Sequence, residues 1–267
     1  MRLVRKSFFL FITLSLFLFL ACEEKPGARS STSGAAGPAL TQDLSPAYGD
    51  AIVNGSIGDA STFIPALASD SASRDITGLV YNGLVKYDKD LKLAGDLAES
   101  WDISPDGLTI TFHLHQGVKW HDGAPFTARD VMFTYKLMID PKTPTAYGED
   151  FKQVKKAEVV DDYTFRVTYP RAFAPALGSW GFSMMPAHLM EGKDITTSKL
   201  ARRPVGTGPY MFKEWQTGQR IVLEANPNYF EGRPYITRYI TRIIPDLATM
   251  FLELRSGGID RMSLTPI

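Results

Sequence analysis

A single cysteine, Cys22, stands in the 267 residues. No disulfide can therefore form within the chain. Neither sign of charge dominates, with 29 Lys and Arg against 29 Asp and Glu. No basic block is interleaved with aromatics, which argues against nucleic acid as a partner. Histidines number only four. His113 and His115 share one face of an alternating segment, but no third ligand stands at a recognisable spacing, so neither a metal site nor any other cofactor is called for. Asp122, after His121, reads as part of a turn rather than as acid–base chemistry. There is no Gly-x-Ser-x-Gly and no cysteine nucleophile. Gly206-Thr207-Gly208-Pro209 lacks the Lys-Ser/Thr of a phosphate loop. These absences argue against an enzyme. After the first twenty residues no apolar run approaches the length of a membrane span.

What the N-terminus does contain is a targeting segment. Arg2, Arg5 and Lys6 precede an apolar run from Phe8 to Leu20, broken only by Thr13 and Ser15. The run is short for a membrane span and suits a signal-peptide core. Ala21-Cys22 at its end reads as a lipoprotein cleavage site, with Cys22 as the lipid-bearing first residue of the mature chain. Residues 23–50 are rich in Gly, Ala, Ser, Thr and Pro and poor in large apolar side chains. Such a stretch buries too little surface to offset its ordering entropy. It reads as a flexible tether spanning roughly 30 Å.

The remaining residues, 51–267, have the size and apolar content of a globular unit. Ala51 to Gly55 reads as a strand. A helix capped by Asp70, Ser71 or Ser73 extends to about Gly83, with Ile76, Leu79, Val80 and Leu84 at helical spacing. Leu84 to Asp88 is a further strand. Ser104-Pro105-Asp106-Gly107 is a turn, because Pro presets φ and Gly accepts a positive one. Thr109 to His115 alternates as a half-buried strand. Thr127 caps a helix from Ala128 to Ile139. Hairpins are expected at Val154 to Tyr169, around Asp161-Asp162, and at Tyr210 to Glu224, around Thr217-Gly218. Short helices fit Ala172 to Leu177 and Ala187 to Met190. Tyr239 to Ile244 reads as a strand and Pro245 to Leu254 as a helix stopped by Gly257-Gly258. Strands and helices mix without strict alternation, giving an α/β class with α+β character. Two aromatics point to a ligand pocket. Trp180 lies in the Gly-Ser-Trp-Gly stretch, and Tyr147 lies in the Pro/Thr-rich loop 141–148, where no periodic core role awaits it.

Two long blocks carry a resemblance. The first runs from Ala98-Glu99-Ser100-Trp101 through Thr109–Leu114 to Gly117-Val118-Lys119-Trp120-His121-Asp122-Gly123. The second joins Gly206-Thr207-Gly208-Pro209-Tyr210 to Glu224-Ala225-Asn226-Pro227-Asn228-Tyr229-Phe230. Together they resemble the family 5 solute-binding proteins, the peptide and nickel receptors of ABC importers. The resemblance implies a class II periplasmic-binding-protein-like fold and covers only its first lobe, with the second lobe missing. It implies a core subdomain of about 51–87 and 180–260 and a β-rich subdomain of about 88–179. It implies a peptide ligand, ABC permease subunits of the inner membrane as partners, and a place in the cell envelope, either on the periplasmic side of a membrane and held by the lipid, or periplasmic or extracellular. It assigns ligand contact to Ser69-Asp70-Ser71, Tyr147, Ser179-Trp180 and Ser263-Leu264-Thr265. Rival readings are a receptor for nickel chelates or another small solute, an envelope enzyme or chaperone on the same scaffold, and a truncated remnant with no ligand.

Overall fold

The computed structural model describes residues 47–263. The expected signal segment, Cys22, Leu264 and Thr265 lie outside them, as does the expected tether up to residue 46; Gly49 and Asp50, expected at the end of the tether, instead open the first strand. The chain forms β1 (Gly49–Ser56), α1 (Ser71–Val80), β2 (Val85–Tyr87), β3 (Leu93–Gly95), β4 (Ala98–Ile103) and β5 (Thr109–Leu114). It continues through α2 (Ala128–Ile139), β6 (Lys156–Asp161), β7 (Thr164–Thr168) and α3 (Ala187–Met190). It ends with β8 (Tyr210–Gln216), β9 (Arg220–Ala225), β10 (Ile236–Ile243), α4 (Leu247–Ser256) and β11 (Arg261–Met262).

The strands gather into two main sheets and a ribbon. One sheet has the order β11-β1-β10-β9-β8, the other β4-β5-β7-β6, and β2 pairs with β3. The first sheet is closed by a distant pairing. β1 lies parallel to β10, from Gly49 opposite Ile236 to Ser56 opposite Ile243. The second is built from local antiparallel partners. In β5, Ile110, Phe112 and Leu114 are buried while the threonines and His113 between them are partly exposed. One face of that sheet therefore packs and the other is wet.

Each long helix has a local cause. Asp70 caps α1 by accepting from the backbone N–H of Ser73, and Ser73, Ile76, Thr77 and Val80 are its buried face. Thr127 and Asp130 form a capping box at the start of α2. The Asp130 carboxylate also accepts from the Ala187 N–H at 2.9 Å, which pins α3 to α2. Gly257 ends α4 in the left-handed conformation, with φ of 78°.

Some boundaries differ from the sequence expectation. Helix α1 stops at Val80, and residues 81–84 cross towards the ribbon instead. A Cβ on Gly83 would lie 2.5 Å from the Gly181 carbonyl oxygen, so this glycine permits a close backbone approach rather than ending the helix. No helix spans 172–177; a 3-10 turn forms at Gly178–Gly181 instead. Pro175 disfavours helical backbone at the residue before it. In α4 the cap is Asp246, so Pro245 precedes the helix rather than opening it.

One hydrophobic core runs behind both sheets. Phe112, Phe165 and Val167 reach it from the second sheet, Ile221 and Leu223 from the first. The crossing at 82–84 is anchored by a buried carboxylate, Asp96. Its oxygens accept from Asn82 Nδ2 at 2.8 Å and from the Gly83 N–H at 3.1 Å. Lys86 Nζ stands 3.7 Å away. Burial pushes the Asp96 carboxyl up to about 6, against the pull of Lys86 and the Asn82 donor.

Candidate functional site

Strands β1, β10 and β11 run parallel, so their carboxyl ends share one edge of the first sheet. In open α/β sheets ligands bind outside that edge. The chain leaving β1 passes through residues 57–70 to α1, and Ser263 directly follows β11. The same edge therefore delivers both the segment Ser69–Ser71 and the exposed Ser263.

Tyr147 reaches this segment from the second sheet's side of the molecule. Its hydroxyl donates to the Ala68 carbonyl at 2.7 Å, tying loop 141–148 to the residue before Ser69. Its ring packs 5.7 Å from that of Phe182, and Phe182 in turn meets Phe151 edge-on at 6.0 Å. Tyr147, Ser179, Phe182, Glu149 and Asp150 line one open recess of about 370 Å³. Tyr147 and Ser179, proposed from sequence for the same surface, are thus brought together. Ser179 Oγ donates to the Ala176 carbonyl at 3.1 Å, so this hydroxyl is already engaged.

Asp70 is engaged as well. It accepts from the Ser73 N–H at 2.7 Å, from Ser73 Oγ at 2.7 Å and from Ser61 Oγ at 2.5 Å. Burial alone would raise its carboxyl, but these hydrogen bonds outweigh it and hold the group below the usual range. Asp70 is therefore an ionised helix cap whose side chain faces its own loop. Ser69 and Ser71 on either side are exposed.

Trp180 requires a correction. It is fully buried, with its ring 5.2 Å from Phe165, 5.3 Å from Phe151 and 5.7 Å from Phe112. Its indole N–H donates to the Tyr169 hydroxyl at 3.1 Å. The apolar face of the second sheet meets α2 and the turn at Phe151–Gln153 here, and the large indole fills the gap. Its neighbour Phe182 is half-buried and lines the Tyr147 recess instead. Sequence reasoning missed Phe182 and Asp150. Phe182 follows the same Gly-Ser-Trp-Gly stretch, and Asp150 follows Tyr147 by one turn's length of chain; only the fold decides which residue of each stretch faces out.

A second recess, of about 460 Å³, adjoins the crossing at 82–84 and is lined by Asn82, Lys86, Asp96 and Tyr229 among others. Its polar groups already bond to one another. The Tyr229 hydroxyl accepts from Asn82 and donates to Glu231, and Lys86 pairs with Glu231 at 2.5 Å. This cluster holds the junction between the sheets together. Among the described residues no group of His, Cys, Asp and Glu could hold a metal ion.

Comparison with known proteins identifies the family and matches the fold. The family model described as bacterial extracellular solute-binding proteins, family 5 Middle, matches residues 92–267. The oligopeptide-binding protein AppA of Bacillus subtilis is 34% identical over 257 residues, covering 93% of this chain and 46% of AppA. The crystal structure of AppA with a nonapeptide superposes with a TM-score of 0.75 over 80% of this chain and 44% of its own, at 34% identity. NikZ of Campylobacter jejuni, solved in complex with Ni(L-His), gives 0.73 over 79% of this chain and 42% of its own, at 31% identity. The chain therefore spans under half the length of the relatives it matches.

Proposed function

Because this chain belongs to the bacterial extracellular solute-binding proteins of family 5, we propose that it forms the first lobe of a receptor that presents peptides to an ABC importer. The observation that carries this reading is the Tyr147 hydroxyl bond to the Ala68 carbonyl. It fixes an aromatic rim beside an exposed backbone segment, Ser69–Ser71. An extended peptide would lie along that segment by strand-like main-chain bonding, which is indifferent to side-chain identity. The recess of Tyr147, Phe182 and Ser179 would take a ligand side chain, and Ser263 with the following Leu264 and Thr265 would border the cleft. Family resemblance divides the lobe into a core subdomain of about 51–87 and 180–260 and a β-rich one of about 88–179. The mechanism is binding with lobe closure and no bond chemistry. Permease subunits would read the closed form, on the periplasmic side of the inner membrane. Lipid at Cys22 would hold the receptor there.

A second reading, a metal-chelate receptor, is favoured by the NikZ likeness. Native mass spectrometry of the protein isolated from a bacterial host separates the two. Co-purified short peptides are expected, and their amount should fall several-fold in Tyr147→Ala while the variant remains cooperatively folded. Co-purified nickel chelate would favour the second reading. Peptide retention that ignores Tyr147→Ala would rule out the Tyr147 recess as the peptide site.

A further inference from the structure

Arg202 and Arg203 stand side by side before Pro204, and neither joins an ion pair among the described residues. The Arg202 guanidinium lies 3.7 Å over the ring of Trp215. That indole is itself fixed. Its N–H donates to Asp59 Oδ1 at 2.9 Å, and Asp59 Oδ2 accepts from the Gly218 N–H at 2.7 Å. The ring of Phe63 packs 4.4 Å from it. Asp59 thus orients Trp215, and Trp215 orients Arg202. A guanidinium held in this way loses less freedom when it binds a ligand than a free one does.

The two arginines open onto a recess of about 410 Å³ lined also by Phe212, Lys213, Glu214, Trp215 and Thr217. The other charges there are matched. Lys213 pairs with Glu224 at 3.3 Å, and Glu214 pairs with Arg220 at 3.4 Å. What remains is two adjacent cationic forks and the Thr217 hydroxyl. This recess shares no lining residue with that of Tyr147.

We infer that the Arg202–Arg203–Trp215 recess is a binding site for a phosphate-type oxyanion, carried free in solution or on a lipid headgroup. Two guanidinium forks present more N–H donors than the two oxygens of one carboxylate can accept. A tetrahedral oxyanion has the acceptors to meet them and the charge to balance them.

The test titrates the purified full chain with inorganic phosphate at low ionic strength, read by calorimetry and by the Trp215 indole N–H resonance, which Trp215→Phe assigns. Saturable binding that shifts this resonance is expected, weakened about tenfold or more in Arg202→Gln/Arg203→Gln. A second arm floats the chain carrying Cys22→Ala, so that no lipid at that residue can anchor it, with phosphatidylglycerol or phosphatidylcholine vesicles. Phosphatidylglycerol-dependent flotation that the double variant loses identifies a headgroup as the source. Phosphate binding without such flotation identifies a free anion. Should the double variant fail to fold, Arg203→Lys keeps the charge, removes the fork and should bind with intermediate strength. Absence of both saturable phosphate binding and arginine-dependent flotation would overturn the inference. Binding of equal strength in wild type and folded variants would overturn it too.

Discussion

Replacing Asp96 by Asn should change how stability depends on pH. Asp96 is buried at the crossing between the sheets, with its carboxyl moved from 3.8 to about 6 by burial. The folded state therefore holds the proton more tightly than the unfolded chain does. The stability this group contributes is full below 3.8, where both states are protonated, and is lost as pH rises through about 6. At about 1.4 kcal/mol per decade, ionised Asp96 costs about 3 kcal/mol, of which about 2–3 kcal/mol develops between about pH 4 and 7.5. Asn has the same shape and no proton to exchange. Any mismatch of its amide with Asn82 and Lys86 adds an offset that is nearly constant with pH. His121 acts in the opposite direction. Burial lowers its pKa, so acidification through the ordinary histidine range destabilises the fold. It is present in both proteins and cancels in the difference. Urea unfolding, extrapolated linearly at a series of pH values, supplies the measurement. The stability of Asp96→Asn relative to wild type should rise by about 2–3 kcal/mol from about pH 4 to 7.5. Curves parallel within about 0.5 kcal/mol would show that Asp96 is not desolvated as its burial implies.

Two further outcomes are expected. Trp180→Ala should lower unfolding stability by about 3–5 kcal/mol, since it empties the place where Phe112, Phe151 and Phe165 meet and removes the indole donor to the Tyr169 hydroxyl, which keeps its bond to the Ala176 carbonyl; a change below about 1 kcal/mol in urea would return this residue to the surface. Palmitate labelling of the expressed chain should be abolished by Cys22→Ala, and equal labelling of the variant would refute lipidation at that cysteine.

Local patterns were legible in the sequence. The Thr127 cap, the Asp161-Asp162 and Thr217-Gly218 hairpins and the alternation in β5 each depend on a few neighbouring residues, and each formed where expected. Positions governed by distant packing were not legible. Gly83 reads as a helix stop, yet its lack of a side chain serves Gly181, far along the chain. Trp180 and Phe182 are both large aromatics in one glycine-rich stretch, and nothing local says which one turns inward. The same holds at the cleft edge. Tyr147 stood out because a loop gives it no periodic role, and of the three cap candidates Asp70, Ser71 and Ser73 it is Asp70 that caps α1.

The pairing of β1 with β10 sets the order in which the molecule can be built. Strand β1 is among the first parts of the described chain to be synthesised, yet its side chains and backbone meet partners such as Asp50 with Thr237, 187 residues apart. Loops of that length close slowly, and parallel pairing offers no local hairpin to begin from. The second sheet, whose strands are near neighbours, can form while β1 still waits on the ribosome. Between the synthesis of β7 and that of β10 one sheet can be complete while the other still lacks its central strand, and β1 stays exposed to chaperones and export machinery until β10 has emerged.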